Sequence, residues 1–292
     1  MEGIFVPLVT PYTASGEVDA AALEKVARRC LEGGAAGLVA LGTTGEAALL
    51  DGAERRTVLE VCRAVSIEHG TPLVAGAGAM GTADTIAQAR ERAPLADALL
   101  VVVPYYVRPS DEGVLDHFAA VCAAVDVPVL AYDVPYRTGK RLTAETALRL
   151  LSLDRVAGMK LCPGAIDQDT LALLAARTGK AVLCGDDAYV HPMLHLGAAG
   201  AIAASACLAP EAFAGMAEAV RTGDTARALA LHNALLPMVD ALFSEPSPAV
   251  LKAALAEVGL IGDPSVRAPL HPPRPEPVTR ALSALHATRA LV

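Results

Sequence analysis

The sequence predicts an α/β fold, a (β/α)8 barrel with a C-terminal helical extension, and three observations support it. Short apolar segments alternate with longer Ala/Leu-rich segments of helical spacing through about residue 222. Most of the short segments are nearly continuous apolar runs, which is typical of parallel strands covered on both faces. No Gly-x-Gly-x-x-Gly turn follows the first strand, where a dinucleotide-binding doubly wound sheet would have one. Eight strand–helix units in about 220 residues therefore favour a barrel.

The predicted strands cover residues 4–9, 37–41, 72–75, 98–103, 128–132, 156–160, 181–184 and 201–204. Asp19, Ser110 and Thr143 stand where the N-caps of three intervening helices are expected. Beyond residue 222 we expect only helices: 226–243, 248–258 and, after a Pro-rich stretch at 268–277, a last helix that ends near residue 286. This pattern predicts a catalytic barrel over residues 1–222 and a helical region over 223–292 packed on it.

Composition restricts the class of protein. The chain has 292 residues, 53% of them hydrophobic, and a net charge of -8, with no Lys/Arg cluster that would indicate a nucleic-acid or anionic-membrane partner. No apolar run approaches the ~20 residues of a membrane span, and the first residues lack the basic segment of a signal peptide. We therefore expect a cytoplasmic protein. Its six cysteines, which form no Cys-x-x-Cys pair, are expected to be buried, reduced thiols.

Polar side chains follow several predicted strands, and in a barrel the active site forms at the C-terminal ends of the strands. Lys160 ends the apolar sixth strand. A lysine among apolar groups has its charged form disfavoured, which lowers its pKa and frees the amine to attack a carbonyl. The structural alternative is a lysine that reaches solvent or pairs with a carboxylate in the barrel. Position alone does not separate the two.

Neighbouring strand ends supply the other groups that imine chemistry requires. Tyr132 can act as general acid or base if Thr43 or Tyr106 relays its proton. The Thr and Gly residues at 42–45 offer N–H and hydroxyl donors to a keto-acid carboxylate, and Arg137 offers a planar fork to a second carboxylate. A buried tyrosine alone is more often a core residue. The combination of these groups with Lys160 favours a site.

Two other patterns favour structural roles. His191 and His195 have i,i+4 spacing, but no third metal ligand is evident. Asp186 and Asp187 are interpreted as a cap on the following helix. We therefore predict neither a metal nor a cofactor.

The motifs resemble those of the dihydrodipicolinate synthase/N-acetylneuraminate lyase family, in family order over nearly the whole chain. They are Gly42-Thr-Thr-Gly-Glu46, Pro104-Tyr-Tyr-x-Arg-Pro-Ser110, Tyr132-x-Val-Pro-x-Arg-Thr-Gly139, Gly158-x-Lys160 and Gly185-Asp-Asp187. Each motif is short, but five of them in register are very specific.

The resemblance implies a homotetramer, a dimer of dimers, in which Lys160 forms an imine with pyruvate and Tyr132 transfers protons. Thr43 and Tyr106 would complete the relay, with Tyr106 reaching into the neighbouring subunit's site. Arg137 is typical of the synthase branch and would bind the carboxylate of the aldehyde substrate. The implied reaction condenses pyruvate with L-aspartate 4-semialdehyde to 4-hydroxy-tetrahydrodipicolinate, on the lysine/diaminopimelate pathway. The resemblance also implies pyruvate-binding roles for Thr44, Ile202 and Gly185.

The chain departs from the family pattern near the site. Leu161 replaces the usual Glu after the lysine, Asp133 replaces the usual Asn after Tyr132, and Ala203 and Ala204 stand where the synthase usually has hydroxyls. Two alternatives therefore stay open: a pyruvate-dependent aldolase of the same family acting on another 2-keto acid, and a weakened paralogue that only binds a keto acid.

Regulation is the last prediction from the sequence. Polar groups that bind inhibitory lysine in the family are substituted here, by Gly52, Arg55 and Met80. We expect lysine inhibition to be weak or absent.

Overall fold

The computed structural model describes residues 1–291 and confirms the predicted fold class. Parallel strands follow one another in chain order, β1 to β8, around a closed barrel. The strands are β1 Gly3–Pro7, β2 Gly37–Ala40, β3 Leu73–Gly76, β4 Ala98–Val102, β5 Val129–Asp133, β6 Val156–Leu161, β7 Ala181–Cys184 and β8 Gly200–Ile202. Each overlaps a predicted strand. The last one is shorter than predicted because Ala204–Cys207 turns into a 3-10 helix.

Helices connect the strands and make up the C-terminal part of the described chain. They are α1 Ala20–Glu32, α2 Gly52–His69, α3 Thr82–Arg92, α4 Asp111–Ala123, α5 Pro135–Thr138, α6 Ala144–Leu151, α7 Gln168–Ala175, α8 Val190–His195, α9 Pro210–Thr222, α10 Thr225–Phe243, α11 Ala249–Glu257 and α12 Pro275–Arg289. The predicted caps of α1, α4 and α6 are confirmed, because the side chains of Asp19, Ser110 and Thr143 each accept a hydrogen bond from a backbone N–H in the first turn.

Two compact units make up the described chain. The first contains residues 1–2 and 72–202, with β3 to β8. The second contains residues 3–71 and 203–291, with β1, β2 and the helices from α9 onward. The division of the chain at residue 222 into barrel and helical region stays a prediction.

Two composition-based expectations can be compared with the structure. All six cysteines are buried and free, as predicted. Within residues 1–291, no helix has the length and apolar character needed to cross a bilayer.

The register of β4 to β7 sets the geometry of the first unit. Val102 pairs with Tyr132, Tyr132 with Lys160, and Lys160 with Leu183, so these residues form one row across four strands. Side chains alternate between the two faces of a sheet along each strand. The next row, which contains Asp133 and Leu161, therefore faces the opposite side.

Candidate active site

Lys160 and Tyr132 form the centre of the candidate site. Their positions are paired across β5 and β6, and each residue is only 7% exposed. The Lys160 Nζ lies 4.5 Å from the centroid of the Tyr132 ring. An amine and the ring of a phenol are thereby held together in a largely dehydrated setting.

Cys162 and Gly185 continue the same face one step beyond the strands. Burial raises the pKa of the Cys162 thiol to about 12, and the Tyr132 side chain acts to lower it. The ladder continues through the Cys162 and Gly185 backbone N–H groups. A Cβ atom on Gly185 would overlap the Cys162 Sγ and lie 2.6 Å from the Lys160 Cε. Any side chain at position 185 would therefore force the Cys162 and Lys160 side chains to shift. The substrate-binding role predicted for Gly185 stays a prediction.

The pKa of Lys160 differs from the sequence expectation. Burial lowers it, but Tyr132 and Cys162, followed by the carboxylates of Asp187 and Asp186, raise it further than burial lowers it. The prediction of a lowered pKa was wrong, because it considered the apolar strand and not Tyr132, Cys162 and the acidic groups after β7. Lys160 is therefore an ammonium in the free protein, and it must lose a proton before it attacks a carbonyl.

Asp186 links the loops that follow β5 and β6. Its Oδ1 accepts a hydrogen bond from the Tyr136 hydroxyl at 2.8 Å, and its Oδ2 accepts one from the Gly164 backbone N–H, also at 2.8 Å. Its side chain does not cap the short 3-10 helix that begins at Asp187. The prediction of a helix cap was therefore wrong for Asp186: both oxygens are directed to groups on other loops, and the carboxylate ties those loops together.

Asp133 and Leu161 do not share the face of Lys160. Both border a cavity of about 20 Å³ that is otherwise lined by residues of α6 and α7 and of the adjoining loops. Asp133 is buried, and its Oδ1 has no hydrogen-bond partner among residues 1–291. Burial raises the pKa of its carboxyl to about 7, although Arg141 and Lys140 act to lower it. The two departures that lie beside Lys160 and Tyr132 in sequence therefore point toward the helices.

Thr43 and Thr44 belong to the second unit, in a 3-10 helix after β2 that spans Thr43–Gly45. Thr44 is buried and Thr43 is exposed. The Thr10 hydroxyl donates a 2.7 Å hydrogen bond to the Gly45 carbonyl and thereby holds the end of this turn. Ile202, the last residue of β8, is fully buried. Their contacts with pyruvate stay predictions.

Arg137 and Tyr106 are both exposed. Arg137 lies in α5, and its guanidinium forms no hydrogen bond or ion pair with any residue in 1–291. Tyr106 is 84% exposed and adopts a positive φ of 69°, an uncommon conformation for a bulky residue. The structure thus does not bury Tyr106 beside Tyr132 within one chain, and it leaves the Arg137 fork free to bind an anion.

The histidine pair forms an internal contact. The Nε2 atoms of His191 and His195 are 3.2 Å apart, and within residues 1–291 no group of three or more His, Cys, Asp or Glu side chains is arranged to hold a metal ion.

Sequence reasoning missed a buried charge cluster in the second unit. Lys252, in α11, is fully buried, and its Nζ donates to the Glu46 Oε1 at 2.9 Å. A lone lysine in the apolar run of residues 249–255 was the available signal. In the sequence, Glu46 is only the last residue of the Gly42–Glu46 motif.

The chain is similar to known proteins over nearly its whole length. The profile of the "Dihydrodipicolinate synthetase family" matches residues 1–287. A 4-hydroxy-tetrahydrodipicolinate synthase of Neisseria meningitidis serogroup B is 37% identical over 293 residues, covering 100% of both chains. The enzyme of the same name from Moorella thermoacetica is 37% identical over 290 residues, covering 99% of this chain and 98% of the relative.

Solved structures show the same likeness. The 4-hydroxy-tetrahydrodipicolinate synthase of Methylacidiphilum fumariolicum SolV superposes with a TM-score of 0.94 at 31% identity, covering 100% of this chain and 97% of that one. A chloride-inhibited dihydrodipicolinate synthase from Acinetobacter baumannii, complexed with pyruvate, gives 0.93 at 35% identity and covers 100% and 99%. On these grounds the chain is an enzyme and belongs to the dihydrodipicolinate synthetase family, a family of lyases.

Proposed function

We propose that the protein is a class I lyase in which Lys160 forms an imine with pyruvate, and that it condenses pyruvate with L-aspartate 4-semialdehyde. One observation carries the proposal: the buried Lys160 amine lies 4.5 Å from the centroid of the Tyr132 ring on the adjacent strand. The names of the relatives support the choice of substrates.

The chemistry follows from these two groups. The deprotonated Lys160 amine attacks C2 of pyruvate, and Tyr132 gives a proton to the departing hydroxide as the imine forms. The Tyr132 phenolate then takes a proton from C3, which converts the imine to an enamine. C3 attacks the aldehyde carbon, and the alkoxide that results takes up a proton. Finally the amine of the second substrate replaces Lys160 at C2, which closes the ring to 4-hydroxy-tetrahydrodipicolinate and frees the enzyme. The overall reaction releases one water.

The departures at Asp133 and Leu161 do not favour another substrate. Both residues border the cavity toward α6 and α7 and not the face that carries Lys160. The aldolase and the weakened-paralogue alternatives rest mainly on these two positions, so the proposal keeps the synthase reaction.

Trapping with borohydride tests the imine. We expect pyruvate plus borohydride to reduce an adduct onto Lys160, found by peptide mass spectrometry. Lys252 is the internal control, because it is also buried but its Nζ is held by Glu46. The Lys160→Ala variant should lose the label while remaining folded. A wild-type protein with no label at Lys160 would refute the proposal.

Arg137 is proposed to bind the carboxylate of the semialdehyde, since its guanidinium is exposed and has no partner within residues 1–291. For Arg137→Ala we expect the KM for the semialdehyde to rise at least about tenfold, because the variant loses at least one charge-assisted hydrogen bond to the carboxylate. The KM for pyruvate should change little. Equal rises in both KM values would contradict this role. Assays with a panel of sugar aldehydes should give no comparable turnover.

We also propose a homotetramer in which Tyr106 completes the neighbouring subunit's proton relay, with Thr43 as the third member. The 84% exposure of Tyr106 supports this arrangement. Tyr106→Phe and Lys160→Ala subunits, each inactive alone, should regain activity when unfolded and refolded together. No regain in verified mixed oligomers would refute the exchange.

A further inference from the structure

The loop that follows β2 ends its first turn at Glu46, a residue in an unusual conformation. Glu46 has a φ of 52°, in the left-handed region that non-glycine residues seldom adopt. It stands between two 3-10 turns, Thr43–Gly45 and Ala47–Leu49. Such a conformation persists only where the surroundings enforce it.

Both oxygens of the Glu46 carboxylate are held by groups from the C-terminal part of the chain. Oε1 accepts from the Lys252 Nζ at 2.9 Å, and Oε2 accepts from the Arg267 backbone N–H at 2.8 Å. The Glu46 and Lys252 side chains are each 0% exposed. The anion therefore cannot move without leaving two donors unsatisfied.

A second layer completes the charge balance. The Lys252 Nζ lies 3.9 Å from the centroid of the Tyr12 ring, and the Arg267 guanidinium carbon lies 4.5 Å from the same centroid on a cation–π contact. The Arg267 guanidinium also pairs with Glu54 and donates to the Leu49 carbonyl at 3.0 Å. Two cations and two carboxylates thus form a neutral cluster.

Stability alone does not account for this cluster. Removing two charges from water costs free energy that their attraction often fails to recover, and apolar residues of similar size would frequently be as stable or more so. What a fully paired buried ion pair can provide is a unique geometry. Here it fixes the residue directly after the Thr43–Gly45 turn.

We propose that Glu46 and Lys252 are positioning residues that hold the Thr43–Gly45 turn in the shape that binds the carboxylate of pyruvate. The inference rests on the proposed function, because it presumes that this turn binds pyruvate. The N–H and hydroxyl donors of the turn must be placed within a fraction of an ångström to be effective. Lys252, from helix α11, thereby acts on the substrate through Glu46.

Three variants test the proposal. Glu46→Asp keeps the charge and its burial but shortens the arm by one methylene. Lys252→Met leaves Glu46 buried without its cation, so we expect this variant to unfold at a lower urea concentration than the wild type. The double variant Glu46→Gln/Lys252→Met removes both charges, so its urea midpoint should return toward that of the wild type. Arg280→Met is the matched control, since it breaks an exposed ion pair with Asp240 between α10 and α12.

We expect Glu46→Asp and the double variant to raise the KM for pyruvate about tenfold or more. The kcat at saturating pyruvate and the KM for the semialdehyde should stay within about threefold of wild type, and Arg280→Met should leave all three unchanged. Borohydride labelling of Lys160 should need correspondingly more pyruvate.

Other outcomes overturn the proposal. A double variant that regains both the wild-type urea midpoint and the wild-type pyruvate KM shows a purely structural pair, as does a Glu46→Asp variant with an unchanged KM. A loss of kcat in proportion to the fraction of unfolded protein, with an unchanged KM for pyruvate, would also show that the pair is purely structural. If the wild-type protein gives no label at Lys160, both the proposed function and this inference fail. If the wild type is labelled and the variants have the wild-type KM for pyruvate, this inference alone fails.

Discussion

Replacing Asp133 by asparagine should stabilise the protein at alkaline pH and not at acidic pH. Burial raises the pKa of the Asp133 carboxyl from its ordinary 3.8 to about 7. Because the folded state holds the proton more tightly than the unfolded state, this group stabilises the fold most below about pH 4 and loses that contribution as the pH rises to about 7. The asparagine side chain has nearly the same shape and does not titrate.

The magnitude follows from the two pKa values. Linkage at 1.36 kcal/mol per pH unit gives a change of about 3 kcal/mol in the free energy of unfolding between pH 4.5 and pH 8. The difference between Asp133→Asn and wild type should change by this amount, in favour of the variant at pH 8. Urea unfolding followed by circular dichroism measures it, since the chain has no Trp.

Asp116→Asn is the control, because Asp116 is exposed on α4. Its effect should be the same at both pH values. If the Asp133→Asn difference also stays constant within about 0.5 kcal/mol, the carboxyl is not protonated in the folded protein, and the account of its burial is wrong.

Three further predictions concern the site and its regulation. Gly185→Ala should reduce borohydride labelling of Lys160 at least about tenfold, since the added Cβ overlaps the Cys162 Sγ. Gly262→Ala is the control, because a Cβ there meets nothing within 4 Å, and it should leave labelling intact. Equal labelling in both variants would contradict the steric argument. Because the pKa of Lys160 lies above its ordinary value, kcat/KM for pyruvate should increase between about pH 6 and pH 9; a flat profile would show that the amine is already deprotonated. Lysine should inhibit weakly or not at all, and half-inhibition at sub-millimolar lysine in a steady-state assay would refute that expectation.

Much of the fold was predictable because local sequence patterns indicate its strands and helix caps. Continuous apolar runs gave the eight strands, and Asp19, Ser110 and Thr143 were identified as caps from residue type and position. The end of the last strand was less predictable. Residues 203 and 204 are as apolar as the strand itself, so nothing in their type indicates that a 3-10 helix begins at Ala204.

The site was predictable in its members and less so in its electrostatics. Lys160 and Tyr132 could be chosen from strand ends, but the pKa of Lys160 depends on groups that the fold brings near it, first Tyr132 and Cys162 and then the carboxylates after β7. That Asp133 and Leu161 face away from Lys160 follows from side-chain alternation once both residues are known to lie in strands, and the predicted strands ended one residue before each of them. The pairing of Glu46 with Lys252 could not be predicted from local patterns, because only the tertiary structure brings these two residues together.

The long sequence separation between Glu46 and its partners affects when this loop can fold during synthesis on the ribosome. Lys252 and Arg267 follow Glu46 by 206 and 221 residues. At about 5–20 residues per second, Glu46 is made roughly 10 to 40 s before its cation. During that interval the nascent carboxylate must remain hydrated, because burial without a counter-ion is too costly. Completion of this loop is therefore among the last events of translation, and a chain cut short before α11 would leave it open to water.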